Sequence, residues 1–183
     1  LWVGYRTADP EGAHARYLAG IANPVGIKAG PGTETDTFRE LLDLLNPDRV
    51  PGRLTVITRF GADRVEEELP RLVRAARAEG HPVLWCCDPM HGNTRVTSDG
   101  RKTRSVPDIF RELEQTFAAH GAEQSVLGGV HFELTGAAVT ECVGGASGIT
   151  EQDLRACYET ACDPRLNAEQ SLEMAFLLAR LLR

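Results

Sequence analysis

Five successive apolar segments of the sequence each end in a side chain that could bind a ligand. These side chains are Arg6, Lys28, Arg59, His91 and Glu133. Cationic side chains bind carboxylates and phosphates, and a guanidinium can do so through two parallel hydrogen bonds. An imidazole and a carboxylate are typical ligands of a divalent metal. The pattern therefore predicts a pocket for an anionic, phosphorylated substrate beside a metal ion.

A second carboxylate extends the predicted metal site. Asp163 precedes a proline, and an Asp-Pro pair alone often marks only a turn. With His91 and Glu133, however, it completes a set of one nitrogen and two oxygen ligands, which suits Mn²⁺, Fe²⁺ or Co²⁺ better than a closed zinc site. His131 lies two residues before Glu133, on the same face of the predicted strand, and is the alternative ligand. A further ligand is expected from elsewhere.

Lys28 is one of only two lysines in a chain with eighteen arginines. An apolar strand that ends in lysine and is followed by glycine suits phosphate binding or a Schiff base. The simpler alternative is a lysine whose aliphatic stem lies along a strand edge. The scarcity of lysine favours a functional role for Lys28.

The spacing of the five strand-end residues indicates the elements that position them. The gaps of 22, 31, 32 and 42 residues each accommodate a helix that returns the chain to the next parallel strand. The carboxyl ends of parallel strands meet on one face, where ligands bind. The predicted strands are 1–6, 24–29, 54–59, 83–87 and 126–134. The predicted helices are 10–21, 36–45, 63–79, 106–120 and 168–182, with a functional loop over 90–106 and a helix start capped at Thr150.

Five such units are compatible with two α/β architectures. An open doubly wound sheet fits the length, whereas a closed (β/α)₈ barrel needs eight strands and about 250 residues. A ligand-binding residue at every strand end favours the barrel, because a barrel brings all strand ends around one axis. The sequence also starts at Leu1, within an apolar, strand-like segment. We therefore expect residues 1–183 to form the C-terminal part of a TIM barrel whose N-terminal part is absent.

Composition narrows the range of partners. The net charge is −6 with interspersed signs, which argues against nucleic acid, and no apolar run is long enough to cross a membrane. The five cysteines are odd in number and lack the spacing of a small disulfide-bonded domain. They predict free thiols and a cytoplasmic location.

Several long segments are similar to one known family. The segments ANPVGIKAGP, LTVITRFG, WCCDPMHGNT, GGVHFELTGAAVTECVGG and YETACDPRLNAEQSLEMAFLLA resemble the C-terminal half of the type II (plant and mycobacterial type) 3-deoxy-D-arabino-heptulosonate 7-phosphate (DAHP) synthases. The resemblance implies a (β/α)₈ barrel that condenses phosphoenolpyruvate with erythrose 4-phosphate, the first step of the shikimate pathway.

The resemblance also implies roles for the six candidate residues. Arg6, Lys28 and Arg59 would bind phosphoenolpyruvate, and Lys28, Arg59 and His91 would take part in catalysis. The metal ligands would be His91, Glu133 and Asp163, with Mn²⁺ as the expected ion and Co²⁺ or Fe²⁺ as alternatives. In the family the N-terminal half supplies a cysteine as the fourth ligand, so that half is expected in the same chain or a separate one.

The sequence departs from the family pattern at Tyr5, where family members usually carry glutamate. This difference keeps a second hypothesis open, a non-catalytic remnant that binds phosphate or a full-length synthase. A third hypothesis is a Schiff-base aldolase that uses Lys28. An incomplete barrel would also expose apolar edges, which predicts association into a homo-oligomer.

Overall fold

Strands and helices alternate along most of the chain in the computed structural model, which describes residues 1–183. The strands are β1 (Trp2–Val3), β2 (Val25–Ala29), β3 (Leu54–Thr58), β4 (Val83–Cys87), β5 (Thr94–Val96), β6 (Lys102–Arg104) and β7 (Leu127–Val130). The helices are α1 (Ala13–Ala19), α2 (Thr35–Leu45), α3 (Val65–Ala78), α4 (Val106–Ala122) and α5 (Ala168–Leu181). Short 3-10 helices cover Tyr5–Thr7, His91–Asn93 and Asp153–Arg155.

The main sheet has five parallel strands in the order β1-β2-β3-β4-β7, without a reversal. Each helix packs on the next along the chain, from α1 against α2 to α4 against α5. A doubly wound sheet would reverse its strand order and carry helices on both faces. This sheet instead has its strands in chain order beside one consecutive series of helices, so it is not doubly wound. The edge strands β1 and β7 do not pair with each other, so the sheet is open.

The sheet is strongly curved. Adjacent strands lie about 4.8 Å apart, so β1 and β7 would be roughly 19 Å apart in a flat sheet. The ring of Trp2 on β1 nevertheless lies 5.5 Å, centroid to centroid, from the ring of His131 just after β7. This curvature brings the carboxyl ends of β1 to β4 around one cavity and places the segment after β7 next to β1.

Apolar periodicity explains how the helices attach to the sheet. On α2, Phe38, Leu41, Leu42 and Leu45 recur with helical spacing and are buried with the strand residues that face the helices. Burying one such side chain contributes about 1.5–3 kcal/mol. The core therefore lies between helices and sheet, and alternate strand residues such as Lys28 face the other side of the sheet.

Two predicted strands are shorter in the structure than the sequence suggests. The first ends at Val3, and Arg6 lies in the following 3-10 helix rather than at a strand end. The last ends at Val130, so Glu133 lies three residues beyond it. In both cases the sequence stays apolar beyond the last residue that pairs with a neighbouring strand. The apolar pattern alone therefore does not mark where the strand ends.

Two local predictions were wrong. The predicted loop 90–106 contains the antiparallel hairpin β5–β6. Thr150 does not begin an α-helix: Asp153 accepts hydrogen bonds from its backbone N–H and hydroxyl, and only a three-residue 3-10 helix follows. The capping box occurs instead at the start of α5, between Asn167 and Gln170.

None of the helices combines the length and apolar character that a membrane crossing requires. All five cysteines are free, in agreement with the prediction from their number and spacing. Cys87 and Cys142 are fully buried, whereas Cys162 is exposed.

Candidate metal and anion site

The curved sheet brings the six predicted site residues to one end of the strands. Lys28 lies in β2, Arg59 directly follows β3, and His91 follows β4. A cavity of about 470 Å³ opens there. Its lining comprises Gly4, Tyr5, Arg6, Thr7, Lys28, Arg59, His91, Thr94, Lys102 and Asp163. Four cationic side chains therefore face one volume large enough for a small phosphorylated molecule.

Three potential metal ligands lie together at the edge of this cavity. One ligand atom each of His91, Glu133 and Asp163 fall within 4.8 Å of one another. His91 Nε2 lies 3.5 Å from Glu133 Oε1 and 4.0 Å from Asp163 Oδ2. One nitrogen and two carboxylate oxygens at these separations could hold a divalent cation.

The other oxygen of each carboxylate is held by a cation. Glu133 Oε2 accepts a hydrogen bond from the fully buried Arg104, whose guanidinium also donates to the carbonyl of Pro164. Asp163 Oδ1 lies 3.0 Å from Lys102 Nζ. Although burial opposes it, the hydrogen bonds to His91 and then Arg104 hold the pKa of Glu133 below its usual range. Both carboxylates are thus fixed through one oxygen, with the other directed towards His91.

Asp88 fixes the orientation of His91. This fully buried carboxylate lies 2.7 Å from His91 Nδ1 and 2.8 Å from Lys28 Nζ, and it accepts the backbone N–H of His91. Burial alone would favour its neutral form, but the bonds to His91 and Lys28 hold the pKa of Asp88 well below its usual range. An Nδ1–H bound to a carboxylate leaves Nε2 free to act as a metal ligand.

Without metal, the contacts of His91 with neighbouring carboxylates favour its charged imidazolium form. The hydrogen bonds to Asp88 and then Glu133 raise the pKa of His91 from 6.5 to about 9. A group whose pKa is raised by folding stabilises the protein at pH values below its pKa in the unfolded chain. This stabilisation is lost as the pH rises through the pKa of the group in the folded protein. In EDTA, the free energy of unfolding should therefore fall between pH 6.5 and pH 9.

This pH dependence can be measured by urea unfolding at several pH values in EDTA. His91→Gln should flatten the fall across that window, because glutamine does not titrate. An equally steep fall in the variant would show that another group causes it.

Arg59 is connected to both the cavity and the metal cluster. Its Nη2 donates to the backbone carbonyl of His91 at 2.8 Å, and its guanidinium lies over the Tyr5 ring at 5.1 Å from the centroid. The Tyr5 hydroxyl in turn donates to the carbonyl of Pro31. Arg59 Nε is buried without a hydrogen-bond partner. A cation with an unused buried donor at the cavity wall is well suited to binding an anion.

The segment that carries Asp163 is held in place by Glu141. This fully buried carboxylate accepts hydrogen bonds from the backbone N–H groups of Glu159, Thr160 and Arg165, and two more from the Arg165 side chain. Five donors on one buried carboxylate offset the cost of its desolvation. The position of Asp163 therefore depends on a residue 22 positions earlier in the chain.

His131, the alternative ligand, is not among the three residues whose ligand atoms lie within 4.8 Å of one another. Its ring packs edge-on against Trp2 and lies 6.3 Å, centroid to centroid, from the ring of His91. Arg104, Glu141 and Asp88 are positioning residues that were not predicted from the sequence. A signal for Glu141 existed, since it is a carboxylate flanked by Val139 and Cys142, which are both buried.

A family model described as the Class-II DAHP synthetase family matches residues 1–179. A phospho-2-dehydro-3-deoxyheptonate aldolase of Neurospora crassa is 52% identical over 181 residues, 98% of this chain and 38% of that protein. The enzyme of that name, AroG, of Mycolicibacterium smegmatis is 49% identical over 183 residues, 100% of this chain and 39% of that protein. A Streptomyces coelicolor relative with the same enzyme name is 47% identical over 183 residues, 100% of this chain and 41% of that protein.

The chain spans about two fifths of the length of these curated relatives. Among solved structures, a phospho-2-dehydro-3-deoxyheptonate aldolase from Francisella tularensis matches 98% of this chain and 54% of its own. The TM-score is 0.53 and the sequence identity 16%, so this likeness concerns the fold alone.

Proposed function

This chain belongs to the class-II DAHP synthetase family, and we propose that its site serves the condensation of phosphoenolpyruvate with D-erythrose 4-phosphate. The products are DAHP and phosphate, in the first step of the shikimate pathway towards aromatic amino acids or related secondary metabolites. The observation that carries the proposal is the cavity in which four cations lie beside the His–Glu–Asp cluster.

The cationic wall of the cavity fits phosphoenolpyruvate. Its carboxylate and phosphate need several donors, and Arg6, Lys28 and Arg59 provide them within one volume. The chain is acidic overall, with a net charge of −6, so cations concentrated in one cavity are needed to hold such an anion. Lys102 adds a fourth cation on the side of the metal cluster, where the second phosphorylated substrate would lie.

The donor set also fits the divalent metal that the family implies. His91 has a free Nε2, and Glu133 and Asp163 each direct an oxygen towards it, with the second oxygen of each already bound to a cation. Mn²⁺ is the expected ion, with Co²⁺ or Fe²⁺ as alternatives. A bound divalent ion would supply Lewis-acid polarisation of the erythrose 4-phosphate aldehyde.

The residues of this chain would act mainly by positioning and electrostatics. Carbon 3 of phosphoenolpyruvate forms a bond to the aldehyde carbon, water adds at carbon 2, and phosphate leaves by C–O cleavage. Lys28 and Arg59 would hold the enol phosphate against the aldehyde and offset the charge that develops on departing phosphate. Arg6 is more exposed, at the rim of the cavity, and would complete the contacts to the carboxylate or phosphate.

The geometry disfavours the Schiff-base hypothesis. Lys28 Nζ is held in a buried ion pair with Asp88 at 2.8 Å, whereas a Schiff base requires a free, neutral amine. Asp88 in turn is shared with His91. Lys28 is therefore better placed as a fixed positive charge than as a nucleophile.

A synthase assay tests the proposal. The purified chain would be incubated with phosphoenolpyruvate, erythrose 4-phosphate and Mn²⁺, alone and with the remaining N-terminal part of the Mycolicibacterium smegmatis relative as a separate chain. Loss of phosphoenolpyruvate with equimolar release of phosphate, abolished by EDTA, is the expected result in at least one arm. Binding of both ligands without turnover in either arm would favour the non-catalytic hypothesis, and Tyr5→Glu would then be assayed next.

The order of strands and the curvature of the sheet support the wider proposal of a (β/α)₈ barrel, of which this chain forms about five units. In that proposal the remaining strands come from an N-terminal part, in the same chain or a separate one, which would also provide the fourth metal ligand. Free cysteines fit a cytoplasmic location. Exposed apolar residues at the sheet edges, such as Leu1 and Val126, fit a homo-oligomer.

Asp88→Asn should lower metal affinity without removing a ligand. Asparagine accepts one hydrogen bond from His91 Nδ1 but carries no charge, so the imidazole becomes a weaker ligand. Partners of this kind contribute about 10–100-fold to metal affinity, and we expect a loss in that range when Mn²⁺ binding is titrated. Asp48→Asn, an exposed change elsewhere, is the control, and equal affinity in the two variants would contradict the role of Asp88.

A further inference from the structure

Glu112 is a buried carboxylate to which the proposed reaction assigns no role. It lies on α4 with 1% of its surface exposed, on the helix face that also buries Ile109 and Leu113. An ionised carboxylate in such a position is costly unless it is hydrogen-bonded. The hydrogen-bond partners of Glu112 therefore indicate its role.

Those partners lie on two different active-site loops. One is the Arg59 loop (residues 59–62), whose Phe60 and Gly61 N–H groups both donate to Glu112 Oε1 at 2.9 Å. The other is the His91 loop (residues 88–93), whose Asn93 Nδ2 donates to Glu112 Oε2 at 2.7 Å. One side chain thus joins the loop that carries a substrate-binding cation to the loop that carries a metal ligand.

Asn93 strengthens the connection between the two loops. Its Oδ1 accepts the N–H of Ala62 in the Arg59 loop at 3.1 Å, and its Nδ2 also donates to the carbonyl of Pro89 in its own loop at 2.8 Å. The two loops meet closely at Gly61 and Gly92, because a Cβ on Gly92 would overlap the Gly61 backbone. On the cavity side, Arg59 donates to the carbonyl of His91. The loops therefore form one hydrogen-bonded unit.

We propose that Glu112, together with Asn93, is a positioning residue that couples anion binding at Arg59 to metal binding at His91. Neither residue lines the cavity. An anion bound by Arg59 contacts a side chain that is also bonded to the His91 backbone, and the Glu112 bridge makes the two loops respond together. By linkage, the metal then strengthens anion binding by the same factor as the anion strengthens metal binding.

This inference rests on the proposed function and is tested by measuring the coupling itself. The dissociation constant of Mn²⁺ is determined with and without saturating phosphoenolpyruvate in the wild-type chain, Glu112→Gln, Asn93→Ala and Glu114→Gln. In Glu112→Gln the new side chain would keep an oxygen for the Phe60 and Gly61 N–H groups, but its amide would oppose the amide of Asn93. Glu114 lies on the same helix, exposed, and is the matched control.

We expect the anion to tighten Mn²⁺ binding at least about 5-fold in the wild type and in Glu114→Gln, the lower end of usual coupling factors. In Glu112→Gln and Asn93→Ala the ratio should fall towards one. A role in stability alone would lower the melting temperature and leave this ratio unchanged, and that result would overturn the inference.

Two further outcomes remain distinguishable. If Glu112→Gln does not fold, Asn93→Ala decides, because it leaves Glu112 bonded to the Arg59 loop and removes the side-chain link between the loops, together with one bond inside the His91 loop. A wild-type chain that binds both ligands without coupling would also overturn the inference. A wild-type chain that binds neither ligand would instead count against the proposed function.

Discussion

Replacing Lys28 with methionine should weaken phosphoenolpyruvate binding at least about 30-fold. Lys28 is nine-tenths buried at the cavity wall, so its charge is poorly screened by solvent. Removing one partner of a buried, hydrogen-bonded charge pair costs about 2 kcal/mol or more. Titration calorimetry in the absence of metal measures the affinity directly. Unchanged affinity would remove Lys28 from the binding site.

The same substitution should also reduce stability, because it leaves the buried Asp88 with one cationic partner fewer. A strand-end position alone suggests little effect on the fold, but the ion pair with Asp88 indicates otherwise. The double variant Lys28→Met/Asp88→Asn separates the two effects. It should recover part of the stability, since the buried carboxylate charge that lost its lysine partner is removed, while phosphoenolpyruvate binding stays weak. Recovery of binding in the double variant would mean that the single change acted only through the fold.

Glu133→Gln should nearly abolish metal binding. Glutamine can keep an oxygen on Arg104, and its amide would then face His91 in place of the second carboxylate oxygen, where it offers no lone pair to a metal. The loss of metal affinity should exceed the contribution of about 10–100-fold that comes from residues that only orient a ligand. Elemental analysis after dialysis against Mn²⁺ measures the retained ion.

His91→Ala should have a similar effect, since it removes the only nitrogen of the cluster. Glu114→Gln, on the exposed side of α4, again serves as the control for the glutamate-to-glutamine change. Wild-type metal content in both Glu133→Gln and His91→Ala would show that the ion lies elsewhere.

Much of the site could be predicted because its residues recur with the repeating strand–helix unit of the fold. Parallel strands are apolar and their carboxyl ends converge, so a charged residue after an apolar run is informative without further structural knowledge. This reasoning brought together Lys28, Arg59 and His91, which do line one cavity. Asp163 follows no strand, and only its residue type and the family resemblance suggested it.

The residues that hold the site in place could not be predicted in the same way. Arg104 lies in a hairpin hidden within a polar stretch, and its partners Glu133 and Pro164 are 29 and 60 positions away. Glu112 did carry a signal, since it interrupts the buried face of α4. A sequence shows that a charge is buried, but it does not show which backbone groups compensate it.

The way the two cluster carboxylates are held has a consequence for ion selectivity. Arg104 and Lys102 each occupy one carboxylate oxygen, so Glu133 and Asp163 can offer an ion only one oxygen apiece. Ca²⁺ requires six to eight oxygens and commonly takes a carboxylate in bidentate fashion. Smaller divalent ions that bind imidazole form fewer and shorter bonds, so they do not need a bidentate carboxylate. The Arg104 and Lys102 side chains would thus discriminate against Ca²⁺ without contacting the metal ion themselves.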